Sequence, residues 1–282
     1  MTQSTPSTAG KITTQNYGGT TIHTYTSPED SLLANTQIVE TSAGLVIFDA
    51  NLFTKYAGEI ADYAQSLGSP VERIVLSHIH PDHWSGLGVL HERFPDAPIY
   101  AFPEVTSYIA ANGQAILDSR NEFFHGAAAA TPTLPTHELS EEATEIGGVT
   151  FIFEKVLEGE AEWGTVVKMP DQHVLMAFDT VASPNTHMFT VDGNFESWIG
   201  HLMDFQELPE QGYTTILVGH GQTTDFDVLD DNIAYLRSAS ATHQASKTPE
   251  EFATRVKAEY PSYYTGSWVD FISLMLYGVI NP

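Results

Sequence analysis

The chain of 282 residues carries 36 Asp and Glu against 11 Lys and Arg, a formal charge of −25 at neutral pH, and it contains no cysteine. Hydrophobic residues make up 42% of it and aromatics 11%, enough to bury a sizeable core, which excludes a disordered acidic tail. The absence of cysteine excludes a disulfide framework, a thiolate zinc site, an iron–sulfur cluster and a cysteine nucleophile, so any metal must be held by His and carboxylates.

Charged residues amount to 17%, below the usual share of roughly 25%, and the shortfall is in bases. Little is left for a groove that tracks phosphates or for an anionic membrane patch, so neither nucleic acid nor membrane is an expected partner. Met1–Gly10 is rich in Ser, Thr, Pro and Gln and lacks the basic and apolar regions of a secretion signal. It reads as a short disordered lead. No later run approaches the ~18 apolar residues of a membrane span, and the expected location is cytoplasmic.

From about Lys11 the pattern is β-rich: Thr20–Tyr25 alternates, Thr36–Glu40 follows, and Gly44–Asp49 is a buried strand ending in an acid. Phe53, Tyr56, Ile60, Tyr63 and Ala64 then recur at three-and-four spacing, which predicts a helix over Leu52–Leu67 stopped by Gly68. Val71–Leu76 is another strand. A short helix over Leu87–Arg93, a strand at Pro98–Ala101 and a helix over Pro103–Leu117 continue a β-α-β-α alternation. Residues 119–147, with four consecutive alanines, Pro132 and Pro135, read as a long excursion of the kind that shapes a site. Strands return at Gly148–Lys155, Gly164–Met169 and His173–Phe178, followed by a helix over Phe195–Leu208, a strand at Thr214–Val218 and helices from Asp225 to about Gly278. The α/β pattern implies one domain over 11–225 with a helical extension over 226–282. The apolar run from Trp268 to Tyr277 is too short for a membrane span and is expected to pack on the body or on a second subunit; a homodimer is possible on that reading.

Directly after the strand ending at Ser77 stands His78-Ile-His80-Pro-Asp82-His83, four potential ligands within six residues. His78 and His80, two apart on extended backbone, point to one side and can reach one cation. Pro81 can open a helical turn that carries Asp82 and His83 round to a second position, so two metals are geometrically plausible.

His-x-His-x-Asp-His after a strand, preceded by a hydrophobic strand ending in Asp49, resembles the metallo-β-lactamase-fold hydrolases, and the resemblance runs from about residue 18 to residue 225. It implies a four-layer αββα sandwich. His78 and His80 would serve a first divalent ion, and Asp82 and His83 a second. Asp179, closing the strand from His173, would bridge the two, and His220 in the Gly-His turn after Ile216-Leu-Val would complete the second. Asp49 resembles the acid that orients ligands from beneath. Zn is the first expectation for both ions, with Mn or Fe as alternatives.

One family ligand is missing. Where a Gly-His-Thr-x-Gly turn commonly supplies a third His, this chain reads Glu158-Gly-Glu160-Ala-Glu162-Trp-Gly164, with Ala161 in the His position. Either Glu160 or Glu162, turned inward, would make a two-His-one-carboxylate site of harder, less discriminating character. The chain so resembles a branch with acidic residues in this turn. His187, in the loop after Asp179, is a further candidate for substrate or metal. Trp84 and Trp163 either wall the cleft or simply pack, and Phe123 and Phe124 could form an apolar lid. His23, His91, His125, His137, His173, His201 and His243 match no motif.

The resemblance implies attack by metal-activated hydroxide on a carbonyl of a small molecule, an ester or lactone first, with Asp82 as proton shuttle to the leaving group. Substrate selection would fall to residues 119–136 and the His187 loop. Scarce bases disfavour a polyanionic substrate, and β-lactam hydrolysis ranks below ester cleavage. The alternatives are a mononuclear iron redox enzyme acting on a sulfur substrate and a non-catalytic metal sensor.

Overall fold

The computed structural model describes residues 9–280. The expected amino-terminal lead lies outside the described residues, apart from Ala9 and Gly10. Seven strands form the first sheet in sequential order: β1 (Lys11–Tyr17), β2 (Thr20–Thr26), β3 (Asn35–Thr41), β4 (Gly44–Phe48), β5 (Val71–Val75), β6 (Ile99–Ala101) and β7 (His137–Glu138). The first four pair antiparallel, β1–β2 and β3–β4 through two-residue turns and β2–β3 through a link that holds a 3-10 turn at Glu29–Ser31. From β4 onward the pairing is parallel, so each return needs a crossover, and helices supply it: α1 (Thr54–Ser66), then α2 (Pro81–Trp84) with α3 (Leu87–Arg93), then α4 (Pro103–Phe123).

The second sheet contains β8 (Ala143–Ile146), β9 (Val149–Leu157), β10 (Trp163–Met169), β11 (Val174–Phe178) and β12 (Thr215–Val218), ordered β12-β11-β10-β9-β8, with only the β11–β12 pair parallel. The sheets face each other through Phe48, whose ring centroid lies 6.0 Å from those of Phe151 and Phe178. Strand β11 shows why its sequence is apolar throughout. Val174, Met176 and Phe178 enter the inter-sheet core, while Leu175 and Ala177 enter a second core under α5 (Phe195–Phe205) and α6 (Val228–Ala245). The layers are therefore helix, sheet, sheet, helix, as expected. Helices α6, α7 (Pro249–Glu259) and α8 (Gly266–Leu276) follow the second sheet. Among the described residues no helix is long and apolar enough to cross a membrane.

Two boundaries differ from the sequence expectation. Helix α4 runs to Phe123 rather than Leu117, so the irregular excursion begins only there. Asp118, Ser119, Asn121 and Glu122 hide the amphipathic period, yet the buried side of that last stretch is Arg120, whose guanidinium lies 5.1 Å from the Phe271 ring centroid. Helix α5 ends at Phe205, and a separate short 3-10 turn covers Leu208–Gln211. Trp84 is fully buried and donates from Nε1 to Ile79 O at 2.7 Å, and Trp163 packs against the same core, so both serve packing.

Candidate metal centre

Strand β5 ends at Val75, and the chain runs on through a bend at Ile79 and His80, the residue that precedes α2. Pro81 takes the first helical position, where its fixed φ suits the turn and its missing N–H costs nothing. The turn separates two pairs of candidate ligands. His78 and His80 stand with ring centroids 5.1 Å apart, while Asp82 and His83 swing to the neighbouring position.

Distant elements complete two groups. In the first, ligand atoms of His78, His80 and Glu160 lie within 4.8 Å of one another; in the second, those of Asp82, His83, Asp179 and His220 do so. Glu160 Oε1 is 2.9 Å from His80 Nδ1, and its Oε2 is 3.5 Å from His78 Nε2. Asp179 stands between the groups. Its Oδ1 is 3.3 Å from His83 Nε2, and its Oδ2 accepts from His220 Nε2 at 2.8 Å and lies 3.9 Å from His78 Nε2.

Asp179 reaches this position because β11 bulges between Met176 and Phe178 and Phe178 turns to φ +46°, which re-aims the next side chain. Asp49, at φ +67° after β4, is held in an equally unusual conformation for a residue with a Cβ.

The outward nitrogens fix the rings. His83 Nδ1 donates to Asp49 Oδ2 at 2.8 Å, and His220 Nδ1 donates to Leu32 O at 2.9 Å. Ser77 Oγ donates to the same Asp49 oxygen at 2.7 Å and is 2.8 Å from His78 Nδ1, so Asp49 orients His78 through a hydroxyl and His83 directly. The inward atoms have no such partners: His78 and His83 Nε2, both Glu160 oxygens and Asp179 Oδ1 are buried without a hydrogen bond. Burying an ion costs several kcal/mol unless it is compensated, and a concentration of imidazoles and carboxylates aimed at common points is the donor set of divalent cations. Residues and arrangement fit that group.

Protonation follows the same geometry. Burial alone would depress His83, but Asp179, Asp49 and Asp82 outweigh it and hold the imidazole well above its ordinary range. Burial is likewise overcome at His220 by Asp179, which raises it to about 10, and at His80 by Glu160, which raises it to about 9. His78 goes the other way, lowered by burial and by the neighbouring His83. A divalent ion entering the centre therefore displaces protons from imidazoles.

Asp49 carries an expected result of its own. Replacing it with Asn weakens divalent-metal affinity by about 10–100-fold, because two rings lose the acceptor that sets their orientation. Competition against a chromophoric chelator measures this, and an unchanged affinity would show that Asp49 does not position the rings.

Of the two glutamates in the β9–β10 turn, the structure brings only Glu160 to the centre. Glu160 is 5% exposed, whereas the Glu162 side chain is exposed and its backbone N–H is tied to Asp192 Oδ2 at 3.1 Å. Two bonds close the turn, Glu158 N to Glu162 O and Gly159 N to Ala161 O, with Glu158 at φ +51°. That geometry cancels the alternation by which residues 160 and 162 would share a side.

His187 belongs to neither group. It is buried among tyrosines, with Nδ1 2.9 Å from the Tyr235 hydroxyl and its ring centroid 5.5 Å from that of Tyr263. Burial pushes its pKa down to about 4. An unfolded-chain His titrates near 6.5, so between about 6.5 and 4 the unfolded state binds a proton that the native state refuses. His187 thus erodes stability as pH falls through that window. Melting curves should fall more steeply over this range in the wild type than in His187→Asn; equal slopes would show that His187 is not held neutral.

The centre floors a cleft reached by His80, Asp82, Glu160 and Asp179. Apart from Arg120 of α4, its upper walls are apolar. The excursion contributes Phe124, and the loop after Asp179 contributes Phe189 and Val191, within the segments expected to select substrate. Sequence reasoning missed Arg120 on α4 and the face of α8, because nothing local marks a helix as facing a cleft rather than a core. Phe123, beside Phe124, is 56% exposed.

Comparison with known proteins agrees with this geometry. Residues 32–220 match the family model described as the metallo-beta-lactamase superfamily. No curated protein matches the chain in sequence. Among solved structures, a metallo-beta-lactamase from Pontibacter korlensis is 19% identical, covering 80% of this chain and 99% of its own at a TM-score of 0.63. The mono-zinc form of FIM-1 from Pseudomonas aeruginosa is 18% identical, covering 83% and 98% at 0.63. DIM-1 is 15% identical, covering 82% and 99% at 0.63. At these identities the likeness is one of fold.

Proposed function

Because the chain belongs to the metallo-β-lactamase superfamily, we propose that it is a hydrolase that employs two divalent cations to cleave an ester or lactone of a small molecule. The observation that carries this reading is Asp179, placed between two His/carboxylate groups at the floor of an apolar cleft. His78, His80 and Glu160 would hold one ion, and Asp82, His83 and His220 the other, with Asp179 shared; Zn is the first choice, Mn or Fe the alternatives. Bound there, the ions supply the Lewis acidity that activates water and polarises a carbonyl.

The chain's own residues do the rest. Asp82, 3.2 Å from His220 Nε2 and facing the cleft, has a second carboxylate oxygen with which to carry a proton to the departing alkoxide. Leu52, Phe124 and Phe189 keep bulk water from the reacting carbonyl. Glu160 adds negative charge where the family commonly has a neutral His. That lowers Lewis acidity and places β-lactam hydrolysis below the cleavage of more reactive esters and lactones.

One observation favours a second reading. His78, His80 and Glu160 form a two-His-one-carboxylate set, the kind that suits Fe(II), so a mononuclear iron redox enzyme stands as the alternative, and a metal sensor without turnover as the third. Elemental analysis together with assays on aryl-ester and lactone panels decides among them. Two ions per chain with turnover abolished by chelation and restored by metal is the expected result. A single iron with oxygen consumption, or metal binding with no turnover of either panel, would overturn it.

A further inference from the structure

We propose that α8 is the specificity wall of this cleft and that it receives an apolar acyl or aryl portion of the substrate. The inference rests on the hydrolase reading above and names the substrate class for it. Trp268, Phe271, Ile272 and Met275 all line the cleft, and their spacing of three, four and seven places them on one face of the helix. Across the space stand Phe124 and Phe189. An amphipathic helix of this kind ordinarily spends its apolar face on a core. Here Val269, on another side, meets the second core, while Trp268, Phe271 and Ile272 close the edge of the first core and, with Met275, line the cleft that holds Asp82 and Asp179.

The wall is rigidly seated. Trp268 Nε1 donates to Glu29 O at 3.0 Å, and Lys257 pairs with Asp270 at 2.7 Å. From α4, the Phe124 ring lies 5.3 Å from Trp268, and Phe123 lies 4.8 Å from Phe271. The segment lies beyond residue 220, where the family match ends, so the device belongs to this chain's own carboxyl-terminal part. The candidate metal ligands lie at the floor and the charged group of the walls is Arg120, set against Phe271 and Met275, so a reacting carbonyl is placed at the floor and a hydrocarbon chain or ring rises along α8. Each methylene so buried strengthens binding by about fourfold.

The test uses the metal-loaded full chain, para-nitrophenyl esters from acetate to dodecanoate, and two variants that alter the wall in opposite senses. In the wild type, kcat/KM should rise by about fourfold per methylene until the cleft is full. Ile272→Trp narrows the space and should lower the octanoate-to-acetate ratio by about tenfold, whereas Phe271→Ala should move the preferred chain to a longer ester. Equal loss at every length in both variants, which a merely structural role for α8 would give, overturns the proposal.

A binding arm separates it from the hydrolase reading. Calorimetry with octanamide, compared with acetamide, should show Ile272→Trp weakening octanamide by about tenfold. Equal affinity in wild type and variant overturns the wall. Wall-dependent octanamide binding with no ester cleaved upholds the wall and overturns the hydrolase reading alone.

Discussion

Exchanging Glu160 for Gln should leave the purified protein with one divalent ion per chain instead of two and lower turnover by about a thousandfold, the order expected when one Lewis-acid contribution is lost. Glu162→Gln should keep both ions and wild-type turnover. The contrast follows from burial and aim. Glu160 presents both oxygens, without hydrogen bonds, to His80 and His78, whereas Glu162 faces solvent from the far side of the same turn.

Stability distinguishes lost metal from lost fold. Burial raises the Glu160 carboxyl to about 7 even against the pull of His80, so a neutral amide of the same shape relieves an unfavourable buried charge. Metal-free Glu160→Gln should therefore melt no lower than the metal-free wild type. Inductively coupled plasma analysis and scanning calorimetry read both quantities. Two ions retained in both variants, or one lost in each, would remove Glu160 from the centre.

A comparably large effect should come from a methyl group. A Cβ on Gly219 would fall within the van der Waals shell of Asp179 Oδ1 and 3.1 Å from the Asp179 backbone nitrogen. Backbone does not yield cheaply, so Asp179 must move. Because it faces both ligand groups, Gly219→Ala should lose metal at both and lower turnover by about a thousandfold or more. Overpacking of this kind also costs about 1–3 kcal/mol of stability. Gly164→Ala is the control: its added methyl would meet nothing nearer than Val156 O at 3.5 Å, so metal and activity should survive. A Gly219→Ala protein that keeps two ions would show that Asp179 need not stand where it does.

The legible part of this molecule was what local spacing encodes. A strand followed by His-x-His-Pro-Asp-His states its own geometry, since a spacing of two puts His78 and His80 in one group and a proline-led turn brings round Asp82 and His83. Asp179 and His220 became legible only through family likeness, because 96 and 137 residues separate them from His83. The choice between Glu160 and Glu162 turned on a left-handed backbone at Glu158, a residue type that gives no sign of adopting one. The wall of α8 was illegible for a further reason. Arg120 and Met275, in contact at 3.6 Å, are 155 residues apart, and an apolar stripe at helical spacing reads the same whether it covers a core or a cleft.

The seam between the two halves bears on how the protein is made. Asn35 donates from its side chain to Val218 O at 2.8 Å and to Gly221 O at 3.0 Å, and its backbone N–H donates to Gly219 O at 2.7 Å. His220 is thus clasped by a segment laid down much earlier in synthesis. A nascent chain emerging from the ribosome can form the first sheet early, but it holds that half of the clasp open until the 185 residues following Asn35, up to His220, have been translated. Assembly of the complete ligand set is consequently a late, post-exit event. A fragment ending short of that histidine, however well it folds, would lack the last imidazole of the second ligand group.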